Sequence, residues 1–351
     1  MSELDFAKLK EFDNHKLVLK IEDKKAGLNG FIVIHNNNLG TPAVGGTRML
    51  PYKTEEDALI DALRLSRAMT YKCAMAQVAH GGGKAVIIGD PKKDKTDALL
   101  KAYAGKINFL NGQFCTGEDV GISQDDVNLM LKYSNYFIGK PNCAEDPSPF
   151  AALSVFYSMK SAVEYIFKKD YLQGMKIGVK GAGKVGSALI KLLSKENAEI
   201  FVSDIDKNAI DRVKKDFPNI KIADNSTIQT LPLDIYSPCA LGNEFSIQNA
   251  GQIKAKIICG AANNQLADEE VGGRLFKNNI IYIPDYVANG GGLIDVVDEL
   301  ERGGFCKPRV LERIENIKNV VKKILDRAFE ENKSPHRISE ETAEKYFGAV
   351  K

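Results

Sequence analysis

Apolar segments along the first half of the chain predict alternating strands and helices. LVLKIE (17–22) and FIVIH (31–35) are rich in Val and Ile, which predicts strands. Over 55–69 the apolar positions follow a helical period, and Thr54 with Asp57 has capping-box spacing at its start. Similar patterns predict strands over 85–89 and 113–116 and helices over 97–110 and from Ser123 to about Lys132.

The second half alternates strands and helices more regularly. KIGVK (176–180) and EIFVSD (199–204) predict strands, and the predicted helices 185–195 and 208–217 follow them. Strands that alternate with helices imply a parallel sheet wound in right-handed crossovers, so the sequence predicts an α/β fold. Further short strands are predicted near 233–236, 256–260 and 280–284, and helices over 151–167, over 308–330 and in the tail from His336.

A proline-rich stretch divides these halves. PNCAEDPSP (141–149) holds three prolines and two acidic residues, and each proline disfavours helix in the residue before it. A chain of 351 residues has the length of about two domains. We therefore expect a first domain over residues 1–145 and a second domain that begins at residue 146.

Composition and charge exclude several classes of protein. Hydrophobic residues make up 44% and charged residues 27%, which is typical of a globular chain and excludes disorder as the main state. The formal net charge of +2 gives no strong field for nucleic acid or an anionic membrane. The chain lacks the run of about 18 apolar residues that a membrane helix needs. Its charged N-terminus lacks an apolar signal core, so we expect a cytoplasmic protein.

Cysteine and histidine offer no obvious metal chemistry. The six cysteines include no CxxC pair, and the four histidines are equally scattered. Reduced, buried thiols explain this spacing better than zinc ligation or a disulfide framework. We therefore expect no metal site.

A glycine-rich motif follows the first strand of the second half. Gly181 permits a tight turn, Gly183 lets the backbone approach a pyrophosphate, and Gly186 lets the helix pack closely on the strand. The start of that helix supplies free N–H groups and a positive dipole end for phosphate. The whole GxGxxG motif consists of Gly181, Ala182, Gly183, Lys184, Val185 and Gly186.

An acidic residue completes this dinucleotide pattern. Asp204 ends the next strand, 18 residues after Gly186. A carboxylate there accepts hydrogen bonds from ribose hydroxyls and repels a 2′-phosphate, which favours NAD over NADP. Lys207 lies close enough to keep NADP open, and a glycine-rich turn followed by a solvated aspartate is the alternative interpretation.

Two lysines and one aspartate of the first half are candidates for catalysis. Lys84 follows three glycines at the mouth of an apolar strand, where desolvation and a neighbouring cation would favour its neutral form as a general base. Lys72, 12 residues earlier at the end of a helix, either faces the same pocket or is a solvated surface charge. Asp119 lies in the glycine-flanked loop CTGEDVGIS, next to Glu118. A carboxylate facing two lysines suits a zwitterionic or 2-oxo acid substrate.

Seven segments between about residues 40 and 300 resemble those of one enzyme family. They are similar to the NAD-dependent leucine, valine and phenylalanine dehydrogenases of the glutamate dehydrogenase-like superfamily, and most of all to the leucine enzymes. The lysine and GAANNQ segments are more specific than the glycine-rich turn. The segments are GGTRM (45–49), DALRLSRAMTYK (61–72), GGGKAVIIGDP (81–91), GEDVG (117–121), SPCALG (237–242), GAANNQL (260–266) and PDYVANGGGLIDVVDEL (284–300).

The resemblance implies an activity and an architecture. The implied reaction is the reversible, NAD-dependent oxidative deamination of an L-amino acid to a 2-oxo acid and ammonia. Residues 1–145 would bind the substrate and form a homo-oligomer, a dimer or higher, with the segment 331–351 returning to them. Residues 146–330 would form a Rossmann domain that binds NAD, with a cleft between the two domains.

The resemblance also implies roles for individual residues. Lys84 would activate the attacking water, Lys72 would bind the substrate carboxylate, and Asp119 would pass protons to and from the amine. Gly45 and Gly46 would bring backbone N–H groups to the substrate. The cofactor would be contacted by the glycine-rich turn, Asp204, Cys239, Ala240 and Asn263, with Asn264 beside the last.

The residues that would line the side-chain pocket by family position are apolar or small. None offers a charge to a glutamate side chain, so a branched-chain substrate such as leucine fits best. Gly117 stands where the leucine enzymes tend to carry alanine, and the extra room keeps an aromatic substrate open. The set comprises Val44, Met69, Gly117, Leu293 and Val296.

The sequence departs from the family pattern at several positions, which cluster around the predicted cofactor and hinge regions. They leave open a second class of function, a non-catalytic NAD-binding regulator that kept the fold. Such a protein would have no chemical reason to retain both lysines and Asp119. The departures are Glu145, Asp146, Ala151, Asn243, Asp295 and His80.

Overall fold

The computed structural model describes residues 6–140, 143 and 146–348. The chain divides into two compact units, one formed by residues 1–145, 296–306 and 343–351 and the other by 146–295 and 307–342. Residues 331–342 cluster with the second unit, whereas the chain from residue 343 onward and residues 296–306 cluster with the first.

The contacts of the last helix explain this difference. Just past the middle of this helix, Thr342 accepts a hydrogen bond from Arg327 at 2.8 Å, and both residues belong to the second unit. At its end the ring of Phe347 packs against Tyr71 and His35 in the first unit, with centroid distances of 5.3 and 6.0 Å. The last helix therefore contributes residues to both units.

The first unit is built on a five-stranded sheet in the order β1-β2-β4-β3-β5. The β1–β2 and β2–β4 pairs are antiparallel and the β3–β4 and β3–β5 pairs are parallel, so this sheet is mixed. The strand β3 was not predicted because two glycines interrupt its apolar pattern. The elements are β1 Leu17–Asp23, β2 Leu28–Asn36, β3 Ala43–Leu50, α1 Glu55–Met75, β4 Gly81–Ile88, α2 Asp97–Phe109, β5 Phe114–Gly117 and α3 Gln124–Met130.

Alternate side chains of β2 point to opposite faces of this sheet, and each face packs against a helix. Phe31 and Val33 face one side and pack with Leu59 of α1, in a cluster of buried side chains. Ile32 and Ile34 face the other side and pack with α2. The caps agree with the sequence, since Thr54 accepts a hydrogen bond from the Asp57 N–H at the start of α1, and Ser123 with Asp126 forms a capping box at the start of α3.

The second unit is a six-stranded sheet in the order β11-β10-β9-β6-β7-β8, with every neighbouring pair parallel. The predicted α/β, Rossmann-type architecture is thus confirmed. The elements are α4 Pro147–Phe167, β6 Lys176–Lys180, α5 Lys184–Lys195, β7 Glu199–Ser203, α6 Lys207–Asp216, β8 Lys221–Ile222, β9 Ile235–Pro238, β10 Ile257–Ile258, α7 Glu270–Lys277, β11 Ile281–Tyr282, α8 Asp285–Ala288, α9 Gly291–Val297, α10 Lys307–Glu315, α11 Ile317–Glu330 and α12 Pro335–Phe347.

The strand order reverses at β6, which lies between β7 and β9. In a parallel sheet, this switch point opens a crevice at the carboxyl ends of the strands. The glycine-rich turn follows β6 directly, so the topology places it at that crevice. The predicted linker 141–149 is partly wrong, because Pro147 and Pro149 belong to the first turn of α4.

Two features are absent from the described residues. Within 6–140, 143 and 146–348, no helix is long and apolar enough to cross a membrane. The same part of the chain contains no cluster of three His, Cys, Asp or Glu side chains that could hold a metal ion.

Candidate active site

Glycines bring α1, β3 and β4 unusually close together. A Cβ atom at Gly82 would lie 2.5 Å from the Cα atom of Thr70, so the start of β4 touches the backbone of α1. A Cβ atom at Gly45 would lie 3.0 Å from the carbonyl carbon of Gly83 and 3.3 Å from Cγ of Met69. These contacts place the predicted substrate residues Gly45 and Met69 beside the strand that carries Lys84.

Lys84 and Asp119 form an ion pair through the Asp119 Oδ2 atom. The side chains are only 8% and 22% exposed. Burial lowers the pKa of Lys84, and the opposing carboxylate of Asp119 offsets part of that effect. Burial would raise the pKa of Asp119, but Lys84 and Arg48 together hold that pKa below its usual value. The structure therefore joins the two sequence candidates in one desolvated pair.

A second cation reaches the same carboxylate, and the sequence did not single it out. Arg48 donates from Nε to Asp119 Oδ2 at 3.3 Å and from Nη1 to Asp61 Oδ2 at 3.1 Å. The Tyr52 hydroxyl donates to the same Asp61 oxygen at 2.6 Å. Period two along β3 offered a signal, because Arg48 shares a face with Gly46, which the family resemblance had placed at the substrate.

Gly46 explains how Asp119 comes so close to β3. A Cβ atom at Gly46 would lie 2.9 Å from Cβ of Asp119 and 2.6 Å from the carbonyl oxygen of Glu118. The loop after β5 can therefore press against the strand only where the side chain is missing. Val44, two residues earlier, is fully buried.

Lys72 lies in the last turn of α1, three residues beyond Met69, and both side chains are half-buried. This position on the helix sets Lys72 one turn from a residue that contacts Gly45. The structure thus locates Lys72 on the same helix face as Met69.

Gly117 does not face open space, which corrects the expectation of extra room there. A Cβ atom at this position would lie 3.1 Å from both Cγ1 and the carbonyl oxygen of Ile138. The missing methyl group is thus filled by Ile138, which is buried. Leu293 is buried and Val296 half-buried on α9, whose residues fall on both sides of the division between the units.

The glycine-rich turn has the geometry that the motif predicts. Gly181 has a φ of +104°, and a Cβ atom there would lie 2.8 Å from both the Ala240 nitrogen and the Cys239 carbonyl carbon. Gly186 packs against the Gly181 carbonyl group, because a Cβ atom added at Gly186 would lie 2.9 Å from the Gly181 carbonyl carbon. Gly183 caps α5 and is exposed, with nothing within 4 Å of an added Cβ. The N-terminus of α5 is therefore open to a phosphate.

Asp204 is fixed against this turn. Its Oδ2 atom accepts a hydrogen bond from the Ala182 N–H at 2.6 Å, and its Oδ1 atom accepts one from the Asp206 N–H at 2.8 Å. An ionised carboxylate has about four acceptor positions, so two remain for hydroxyl groups. The residues present therefore fit the adenosine half of a dinucleotide.

Asn263 lies in an exposed loop that buried amides brace. Gln265 donates from Nε2 to the carbonyl oxygens of Gly260 at 3.1 Å and Ala262 at 2.9 Å. Asn289 donates from Nδ2 to the Asn263 Oδ1 atom at 2.8 Å and to the Ala261 carbonyl oxygen at 3.0 Å. The loop is thus held in one conformation from both sides.

Several departures from the family pattern have local explanations. Asp146 caps α4 by accepting a hydrogen bond from the Ser148 N–H at 3.0 Å. Asn243 has a φ of +56°, a left-handed conformation that glycine adopts freely and asparagine tolerates. His80 contacts the Pro42 carbonyl oxygen at 3.3 Å through Nδ1.

The other departures fall at buried or undescribed positions. Ala151 faces Gly292, since a Cβ atom added at Gly292 would lie 3.6 Å from Cβ of Ala151. Asp295 is fully buried. Glu145 lies outside the described residues.

Family comparisons match both halves of the chain. The family described as "Glu/Leu/Phe/Val dehydrogenase, dimerisation domain" matches residues 15–136. The family described as "Glutamate/Leucine/Phenylalanine/Valine dehydrogenase" matches residues 202–345.

Individual proteins are similar over nearly the whole length. A leucine dehydrogenase of Bacillus cereus is 39% identical over 349 residues, which cover 99% of this chain and 94% of that protein. An L-tryptophan dehydrogenase of Nostoc punctiforme is 40% identical over 331 residues, 94% of this chain and 92% of that protein. The crystal structure of the L-tryptophan dehydrogenase from Nostoc punctiforme has a TM-score of 0.84 at 39% identity, over 95% of this chain and 96% of that one.

Proposed function

Because the chain belongs to the Glu/Leu/Phe/Val dehydrogenase family, we propose that it converts an aliphatic L-amino acid reversibly to the 2-oxo acid and ammonia with NAD. It is thus an oxidoreductase that acts on an amino acid. The observation that carries the proposal is the buried Lys84–Asp119 pair beside the glycines of β3.

The site residues divide the chemistry among them. Lys72 binds the substrate carboxylate, and the backbone N–H groups at Gly45 and Gly46 orient it. Asp119 accepts a proton from the substrate ammonium group, and bound NAD would supply the hydride acceptor for the α-carbon, so that the substrate becomes an iminium. Lys84 then takes a proton from the water that attacks this carbon. Asp119 transfers protons to the departing nitrogen, and ammonia and the 2-oxo acid are released.

Burial suits Lys84 to this role. A general base works best with a pKa near the operating pH, and an ordinary lysine is far above it. Desolvation lowers the pKa of Lys84 because a buried ammonium loses its water. Asp119 keeps the ammonium form accessible, so the same pair serves both directions of the reaction.

The choice of an aliphatic substrate rests on the pocket residues and on the relatives. Val44, Met69 and Leu293 present no charge, which disfavours a glutamate side chain. An aromatic substrate is the second candidate, since the L-tryptophan dehydrogenase is 40% identical to this chain and the leucine enzyme 39%. The contact between Gly117 and Ile138 removes the extra room that favoured a large ring.

Two further features belong to the proposal. The fixed carboxylate of Asp204 beside the glycine-rich turn supports NAD over NADP, because a 2′-phosphate would meet a negative charge. The match of residues 15–136 to a dimerisation domain supports a homo-oligomer, a dimer or higher.

The test is NADH oxidation by the purified protein with ammonia and a panel of 2-oxo acids. The panel contains 4-methyl-2-oxopentanoate, 3-methyl-2-oxobutanoate, phenylpyruvate, indolepyruvate and 2-oxoglutarate. We expect the branched-chain acids to rank first. NADH binding without turnover on any of them would instead support the regulator.

A matched pair of variants tests the catalytic role. Lys84→Ala should lower kcat at least a hundredfold, in the range typical of a lost general base, with NADH binding unchanged. Lys132→Ala, which removes an exposed lysine of the same unit, should behave as wild type. Wild-type turnover by Lys84→Ala would overturn the proposed mechanism.

A further inference from the structure

Five side chains form a continuous polar chain that ends at the proposed base. Tyr52 contacts Asp61, Asp61 contacts Arg48, and Arg48 contacts Asp119. Asp119 in turn binds Lys84. Arg48, Asp61 and Asp119 are only 22%, 28% and 22% exposed, so solvent screens these contacts weakly.

We propose that Arg48 is a positioning residue, which fixes the Asp119 carboxylate against Lys84 and is itself fixed by Asp61. This inference rests on the proposed function, since it assigns Lys84 as the base. Arg48 does not need to contact substrate in this role. It acts through the carboxylate that does.

The geometry requires an arginine. The guanidinium reaches two carboxylates at once, Asp119 at 3.3 Å through Nε and Asp61 at 3.1 Å through Nη1. Because the group is planar and rigid, fixing one end also fixes the other. A lysine has one ammonium and cannot hold both carboxylates in this orientation.

The backbone of β3 allows the close approach of Asp119 to this strand. Gly46 and Arg48 lie on the same face of the strand. A Cβ atom at Gly46 would lie only 2.9 Å from Cβ of Asp119, so the missing side chain allows Asp119 to approach the strand. Arg48 then contacts the Asp119 carboxylate. The strand thus allows the Asp119 loop to approach at Gly46 and binds its carboxylate through Arg48, two residues later.

The charges of the network also affect the pKa of Lys84. The charged and titratable groups that interact with the pair are Arg48 from β3, Asp61 from α1 and Tyr52 from the segment between these elements. Burial lowers the pKa of Lys84 and Asp119 raises it, whereas Arg48 lowers it further and Asp61 raises it. Loss of Arg48 should therefore raise the pKa of Lys84, and loss of Asp61 should lower it.

The experiment is the pH profile of kcat/KM for amino acid oxidation, whose acid limb reports the base of the free enzyme. Arg48→Met should move that limb upward by about one pH unit and lower kcat. Asp61→Asn should move it downward. The double variant Arg48→Met/Asp61→Asn should return the limb toward its wild-type position while kcat stays low, since charge is balanced again but Asp119 is not held.

Two further variants separate charge from geometry. Arg48→Lys keeps the charge and loses the second contact, so the limb should stay in place while kcat falls. Arg64→Met removes an exposed arginine of the same helix that carries Asp61, and it should match wild type in both respects. If Arg48→Met does not fold, Arg48→Lys and Asp61→Asn carry the test.

The proposal is supported if the acid limb moves upward in Arg48→Met and downward in Asp61→Asn, and if kcat stays low in the double variant. An unmoved limb, or shifts of the same sign in Arg48→Met and Asp61→Asn, would overturn it. These results are distinct from failure of the proposed function, which is read from Lys84→Ala. An inactive Lys84→Ala with unmoved limbs would leave Lys84 as the base and remove only the role of Arg48.

Discussion

Gly82 on β4 lies directly against Thr70 on α1, so closely that no side chain fits between them. Lys84 follows two residues later on the strand, and Lys72 follows two residues later on the helix. This single close contact therefore sets the spacing between the elements that carry both lysines. It gives the three glycines before Lys84 a structural purpose besides their backbone freedom.

We expect Gly82→Ala to destabilise the first unit and reduce activity. An added methyl group would overlap the Thr70 backbone, which has no flexible end to yield, and overpacking of this kind costs about 1–3 kcal/mol. The measurement is urea unfolding together with kcat. Gly105→Ala is the matched control, because that glycine lies within α2 with open space around it. It should stabilise the protein by about 0.5–1 kcal/mol, and equal effects of the two changes would contradict the argument.

Asp204→Ser should narrow the preference for NAD over NADP. The change removes the negative charge that would meet a 2′-phosphate, and it removes the acceptors that hold the Ala182 and Asp206 N–H groups. The measurement is kcat/KM for each cofactor at a fixed concentration of amino acid. Asp211→Asn, at an exposed position on α6, is the control. An unchanged ratio for Asp204→Ser would show that this carboxylate does not contact the ribose.

His15 makes the first unit less stable in mild acid. Its Nδ1 atom accepts a hydrogen bond from the Asp13 N–H at 3.1 Å, so the ring proton is on Nε2, which faces the Leu63 carbonyl oxygen at 3.0 Å. A second ring proton would oppose the Asp13 N–H. Burial lowers the pKa of His15 from its ordinary value of 6.5 to about 4.

The sign of the effect follows from linkage. The unfolded chain binds a proton at His15 below pH 6.5 and the folded chain does not, so stability falls as pH falls from 6.5 toward 4. The full loss is about 3 kcal/mol for this one group. The measurement is the free energy of unfolding between pH 7 and pH 5, above the range of ordinary carboxylates. His15→Gln should flatten this slope, and an unchanged slope would refute the assignment.

Local patterns along the chain predicted most of the fold. Strand and helix patterns predicted β1, β2, α1, α2 and most elements of the second unit, because those residues bury one face against a neighbour. They did not predict β8, α7, α8 or α9. The patterns failed at β3, where Gly45 and Gly46 interrupt the alternation. They also failed to show that the first sheet is mixed, because strand direction depends on how distant segments pair rather than on local sequence.

The candidate site was predicted in part for the same reason. Lys84, Asp119 and the glycine-rich turn stand in local contexts that indicate chemistry before any contact is known. Arg48 and Asp61 do not, since an arginine on a strand and an aspartate on a helix usually face solvent. Their role depends on a contact between segments 13 residues apart.

The sequence alone determined the class of fold, the dinucleotide motif and the identity of the charged groups in the first unit. Those properties depend on residue type and short spacing, which the chain carries directly. Only the tertiary structure decided which charges meet, how far Lys84 is desolvated, and that Ile138 fills the space beside Gly117. Burial and electrostatics depend on distances between segments remote along the chain, and packing of the whole unit sets those distances.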